Sequence, residues 1–62
     1  PEIYREGKRV LHKKYGAGTI RSVSQDKISI KFDKNPGVRT FSLSFMLEQN
    51  LLKILTDDKK EK

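Results

Sequence analysis

The sequence predicts an all-β fold: a small five-stranded barrel with one short helical turn before the last strand. Three observations predict it. Apolar and polar residues alternate with period two through Lys27–Phe32, where Ile28, Ile30 and Phe32 interleave with Lys27, Ser29 and Lys31. Short apolar runs recur between clusters of turn residues. The alternation then breaks once, near Ser44, where the pattern suits a helical turn.

Lys8–His12 is the first expected strand, with Val10 inward. Lys13-Lys14-Tyr15-Gly16-Ala17-Gly18 reads as a turn, its glycines letting the chain reverse. Thr19–Val23 is the second strand, with Ile20 and Ser22 on one face and Thr19, Arg21 and Val23 on the other. Ser24-Gln25-Asp26 makes a tight hairpin into the third strand, Lys27–Phe32, which has one core face and one basic, solvated face. Asp33-Lys34-Asn35-Pro36-Gly37 is the strongest turn signal, since Pro pre-sets the φ such a turn needs and Gly accepts the left-handed position after it. Val38–Leu43 is the fourth strand, with Arg39, Phe41 and Leu43 on one face. Ser44 reads as the N-cap of one or two helical turns over Phe45–Gln49, and Asn50 suits the left-handed position that ends them. Leu51–Leu55 closes the set as a fifth strand. Four meandering strands, a helical turn and a closing strand are the order of an SH3-like or Tudor-like small barrel, whose closure removes exposed edges.

The domain organisation is simple. A chain of 62 residues holds one domain at most, and with 34% hydrophobic against 35% charged residues its core must be small. Residues 1–6 read as a flexible lead or linker end, in which Ile3 and Tyr4 either dock on the barrel or continue into a longer chain. Residues 7–56 form the barrel. Residues 57–62, without an apolar side chain, read as a disordered charged tail.

Composition narrows the function classes. There is no Cys, hence no disulfide or thiolate site, which fits a reducing, cytoplasmic setting. His12 is the single histidine and cannot build a metal cluster alone. No cofactor or metal site is expected, and no apolar run is long enough to span a bilayer. The formal net charge of +6 attracts nucleic acid or an acidic protein surface without choosing between them.

The stretch Gly7-Lys8-Arg9-Val10-Leu11-His12-Lys13-Lys14-Tyr15-Gly16-Ala17-Gly18-Thr19-Ile20 is similar to the motif G-x-x-V-x-H-x-x-[FYW]-G-x-G-x-[IV]. That motif opens the Tudor-like domain at the C-terminus of UvrD/PcrA-type bacterial DNA helicases. Val23, Ile28, Ile30, Lys31 and Phe32 match its continuation. The second half, with Phe41-Ser42-Leu43-Ser44 and Glu48-Gln49-Asn50-Leu51-Leu52, looks more like the ending of similar small barrels appended to varied bacterial proteins. Asn50 stands where that ending has Gly. The resemblance covers roughly residues 7–55. It implies a non-catalytic docking module, associated with RNA polymerase and with DNA repair, whose parent's ATPase motors lie elsewhere.

Several residues carry a possible chemistry. Gly16-Ala17-Gly18 lacks the later glycines and the Lys-Ser/Thr ending of a phosphate cradle, so it reads as structural. His12 has no recognisable nucleophile or carboxylate partner, and reads better as a structural histidine whose ring nitrogen ties the first strand to the following loop. Tyr15, between lysines and glycines, either stacks on a base or anchors a partner, or covers one open end of the barrel. A methyl-lysine cage is not expected, because Phe32 and Phe41 are needed inside and few aromatics remain. The candidate binding residues are Lys13, Lys14, Tyr15, Arg21, Lys27, Lys31 and Arg39, with Lys34 grouped beside them. The expected partner is RNA polymerase or another protein, contacted by a monomer through an edge strand and adjoining basic side chains. Weak, nonspecific DNA binding is expected as well, and a nucleic-acid-binding barrel is the alternative reading.

Overall fold

A computed structural model of the chain describes residues 4–55. The expected tail at 57–62 and the docking of Ile3 lie outside these residues. The fold is mostly β, with strands β1 (Arg9–His12), β2 (Gly16–Ser24), β3 (Lys27–Phe32), β4 (Arg39–Ser42) and β5 (Leu52–Ile54), and one helix, α1 (Leu43–Glu48), between β4 and β5. The strands form one antiparallel sheet in the order β4-β3-β2-β1-β5, so β4 and β5 stand at its two edges.

The period-two reading of β3 holds over its full length: Ile28, Ile30 and Phe32 are wholly buried. They face Val10 from β1, Ile20 from β2, and Leu43 and Met46 from α1, with Leu52 and Tyr4 completing the core. Tyr4 thus docks on the sheet, one of the two arrangements open to it. The helix supplies what a single sheet this small lacks, an apolar cover for its inner face.

Three local expectations are corrected. Ser22 does not share a face with Ile20, because the β2–β3 register shifts between Ile20 and Ser22. Arg21 is the extra, exposed residue of a β-bulge, and beyond it Val23 pairs with Ile28 and packs on the core. Gly18 does not lie in the turn. It sits inside β2, opposite Phe32, and a Cβ there would stand 2.8 Å from both Ile30 Cγ2 and Phe32 Cδ1. Close approach, rather than turn flexibility, requires glycine at that point. Gly16 does meet the turn expectation, with φ of 87° where β2 begins.

The third correction concerns the helix start. Ser42, not Ser44, is the N-cap, and its side-chain oxygen accepts from the Phe45 N–H at 3.3 Å. Ser44 is engaged elsewhere, its N–H and hydroxyl both donating to the Asp26 carboxylate, at 2.8 and 2.9 Å. The Ser42 hydroxyl donates to the same carboxylate at 2.7 Å, and the Leu43 N–H to the Asp26 carbonyl at 2.7 Å. Asp26 therefore ties the tip of the β2–β3 hairpin to the entry of α1. The Ser42 hydroxyl, followed by the Ser44 N–H and hydroxyl, holds the Asp26 carboxyl below the usual carboxylate range. At the other end of α1, Asn50 takes the left-handed conformation expected of it, with φ of 57°.

Candidate functional site

The β1–β2 turn is built around His12. As an inward residue of β1 it is only 5% exposed. Its Nδ1 accepts from the backbone N–H of Lys14 at 2.9 Å and of Tyr15 at 3.3 Å, so the ring ties the strand to the loop. Burial first, and the Lys14 charge second, lower its pKa from the usual 6.5. With Nδ1 already accepting two hydrogen bonds, that atom is not free to take a proton from a substrate.

Holding the turn this way places Tyr15 over the end of the core. Its ring centroid lies 4.9 Å from His12, 5.3 Å from Phe32 and 6.0 Å from Phe41. His12 also stacks on Phe41 at 5.4 Å. Four rings from three strands and a turn thus form one cluster in which Tyr15 and Phe41 remain half-exposed. Phe41 is thus not wholly interior as expected. Tyr15 covers the core and still presents surface to solvent. The Arg39 guanidinium lies 4.7 Å from its ring centroid and the Lys14 ammonium 5.6 Å from it.

The structure therefore brings together Lys14, Tyr15 and Arg39, with the exposed Lys13 beside them in the turn. The other candidates stand apart. Lys27 is exposed opposite Ser42 at the far end of β3, and Arg21 is on the bulge. The Lys31 ammonium donates to the carbonyls of Phe32 and Asn35, at 2.9 and 2.8 Å, so it pins the Asp33–Gly37 turn. Arg9 forms a two-pronged ion pair with Asp33, at 2.9 and 2.6 Å, and this lowers the Asp33 pKa. Lys34 is exposed in that same turn.

Two further surface features were not among the expectations from the sequence. Val38 and Phe45 are the large apolar side chains left exposed among the described residues, at 50% and 54%, and they flank β4. A cleft of about 530 Å³ also opens beside the β1–β2 turn, with Leu11, Leu51 and Lys53 in its wall. Leu11 had a sequence signal, since alternation with Val10 and His12 turns it outward, and so did Val38, which alternation sets on the face opposite Phe41 and Leu43; Phe45 had none.

Among the described residues, no group of three His, Asp or Glu side chains comes close enough to hold a metal ion. No helix there is long and apolar enough to cross a membrane. No family model, no curated protein and no solved structure matches the chain.

The buried imidazole makes stability depend on pH. The unfolded chain binds the His12 proton more tightly than the folded chain, because the folded pKa is the lower one. This contribution is complete above the unfolded value of 6.5 and is lost as pH falls from there toward the folded pKa. The melting temperature should therefore fall between about pH 7 and pH 5. Asp26 and Asp33 weaken the fold only as pH drops below their unfolded value of 3.8. In His12→Gln the slope between about pH 7 and pH 5 should flatten, as thermal melts at a series of pH values will read. An unchanged slope would remove His12 as its source.

Proposed function

We propose that this chain is a non-catalytic protein-docking module of the SH3-like, Tudor-like barrel kind, the C-terminal domain of a UvrD/PcrA-type DNA helicase that contacts RNA polymerase in the cytoplasm. The helicase parentage and the polymerase rest on the resemblance of residues 7–55. The curl of the sheet into a barrel, with α1 spanning from β4 to β5, belongs to the same reading.

The observation that carries the docking reading is the outer edge of β4. Its backbone pairs with β3 on one side, and among the described residues no strand pairs with the other. An antiparallel edge strand keeps half its N–H and C=O groups pointing outward, which is the template for adding a strand from a partner. Val38 and Phe45 supply apolar contacts at its two ends, and Arg39 with Lys14 supplies positive charge beside the Tyr15 ring. Main-chain pairing gives affinity there, and the flanking side chains give selectivity.

The same charges would also meet phosphates. Tyr15, however, already has the Lys14 and Arg39 cations over its ring and packs on three other rings, which leaves a base less of it to stack on. Duplex DNA, single-stranded DNA and purified bacterial RNA polymerase should therefore be titrated in parallel at about 150 mM salt, where the Debye length is about 8 Å. Polymerase should bind, while DNA binds weakly, without sequence preference, and with a steep loss as salt rises. Sub-micromolar DNA binding without polymerase binding would replace the docking reading with a nucleic-acid-binding one.

A further inference from the structure

We infer that the cleft between the β1–β2 turn and β5 is a second interaction surface, shaped for an acidic peptide segment that carries one bulky aliphatic side chain. Its volume of about 530 Å³ is in the range of ligand-sized pockets. Leu11, Leu51 and Leu52 give it an aliphatic lining, and Lys13, Lys14 and Lys53 give it positive charge. No Asp or Glu lines it, and none of the three lysines forms an ion pair with a described residue. The charge there is uncompensated by any described carboxylate and complements a ligand bearing them.

Leu11 points the same way. It lies on the face of β1 opposite Val10 and His12, is half-buried, and stands outside the hydrophobic core. Its apolar surface serves the cleft rather than the core. The walls are also held in place before any ligand arrives. The Lys13 N–H donates to the Leu51 carbonyl at 2.8 Å, and His12 Nδ1 fixes the backbone of Lys14. A preformed wall lowers the ordering cost of binding.

An aliphatic lining favours a leucine-like side chain over a nucleic-acid base, which needs an aromatic platform that the Tyr15 ring, outside the lining, does not provide here. Apart from Lys14, whose ammonium also lies over the Tyr15 ring, the lining is separate from the β4 edge, and the inference does not depend on what binds there.

The test uses the isotope-labelled full chain and a blocked pentapeptide with a central leucine flanked by aspartates. Amide shifts should concentrate at Leu11, Lys13, Gly16, Leu51 and Lys53. Replacing the central leucine by glycine should weaken binding about tenfold or more, the scale of one buried leucine side chain. Lys53→Glu and Leu11→Ser, at exposed and half-buried positions outside the core, should each weaken it roughly fivefold while leaving the amide spectrum dispersed. Equal binding of the glycine peptide would reduce the cleft to diffuse charge attraction and overturn the inference. So would shifts confined to Val38–Phe45, or a single-stranded oligonucleotide that moves the cleft amides at lower concentration than the peptide does.

Discussion

Phe32→Ala should leave this protein largely unfolded. Phe32 is the largest wholly buried side chain and the ring against which His12, Tyr15 and Phe41 all pack. Truncating a buried Phe costs about 3–5 kcal/mol, through lost transfer free energy and the cavity left behind. A core in a domain this small rarely supplies more than about that amount in total. The loss also removes the floor under Tyr15, so β1 and β2 lose their shared cover along with β3. Amide NMR dispersion and near-ultraviolet circular dichroism should both collapse. A variant that keeps its dispersion would show that the core carries far more stability than its size implies.

Gly18→Ala should be the next most damaging change, although it adds a single methyl group. The new Cβ would meet Ile30 Cγ2 and Phe32 Cδ1 at 2.8 Å and the Lys31 carbonyl at 2.9 Å. The two side chains are wholly buried and the carbonyl belongs to the β3 ladder, so little can give way. Overpacking of this kind costs about 1–3 kcal/mol. Gly16→Ala is the informative comparison. There a Cβ meets nothing within 4 Å, and only the φ of 87° opposes it. That conformation costs a non-glycine residue about 1–2 kcal/mol, and Asn, which tolerates it, should recover part of the loss in Gly16→Asn. Urea midpoints should place Gly18→Ala below Gly16→Ala, with Gly16→Asn above both. Equal midpoints for Gly16→Ala and Gly16→Asn would deny the backbone origin of the Gly16 effect.

What was legible in the sequence was local. The alternation at Ile28, Ile30 and Phe32, the turn at Asp33–Gly37 and the left-handed Asn50 each depend on neighbours in the chain, and each stands as expected. So does the role of His12, whose partners lie within three residues of it. The misplaced features depend on distant partners. Ser44 makes a good N-cap in isolation, and only Asp26, from another hairpin, draws its hydroxyl and N–H away. The Arg21 bulge follows from fitting β2 to β3, and the need for Gly18 follows from two side chains across the sheet. The site divides in the same way. Lys13, Lys14 and Tyr15 share a turn and were legible together, whereas Arg39 and Phe41 join them through the sheet. Lys31 read as a binding candidate because alternation turns it outward, yet alternation says nothing of the two carbonyls within its reach.

The docking reading stands on the outer edge of β4, and the polymerase titration repeated with Val38→Asp and Phe45→Asp tests it most directly. Both positions are at least half-exposed and outside the core, so the variants should keep the wild-type amide spectrum. Each should weaken polymerase binding about tenfold or more, the cost of losing an apolar anchor beside an added strand. Weak DNA binding should change little by comparison. Undiminished polymerase binding by both variants, or no polymerase binding by the wild-type chain, would contradict docking through β4.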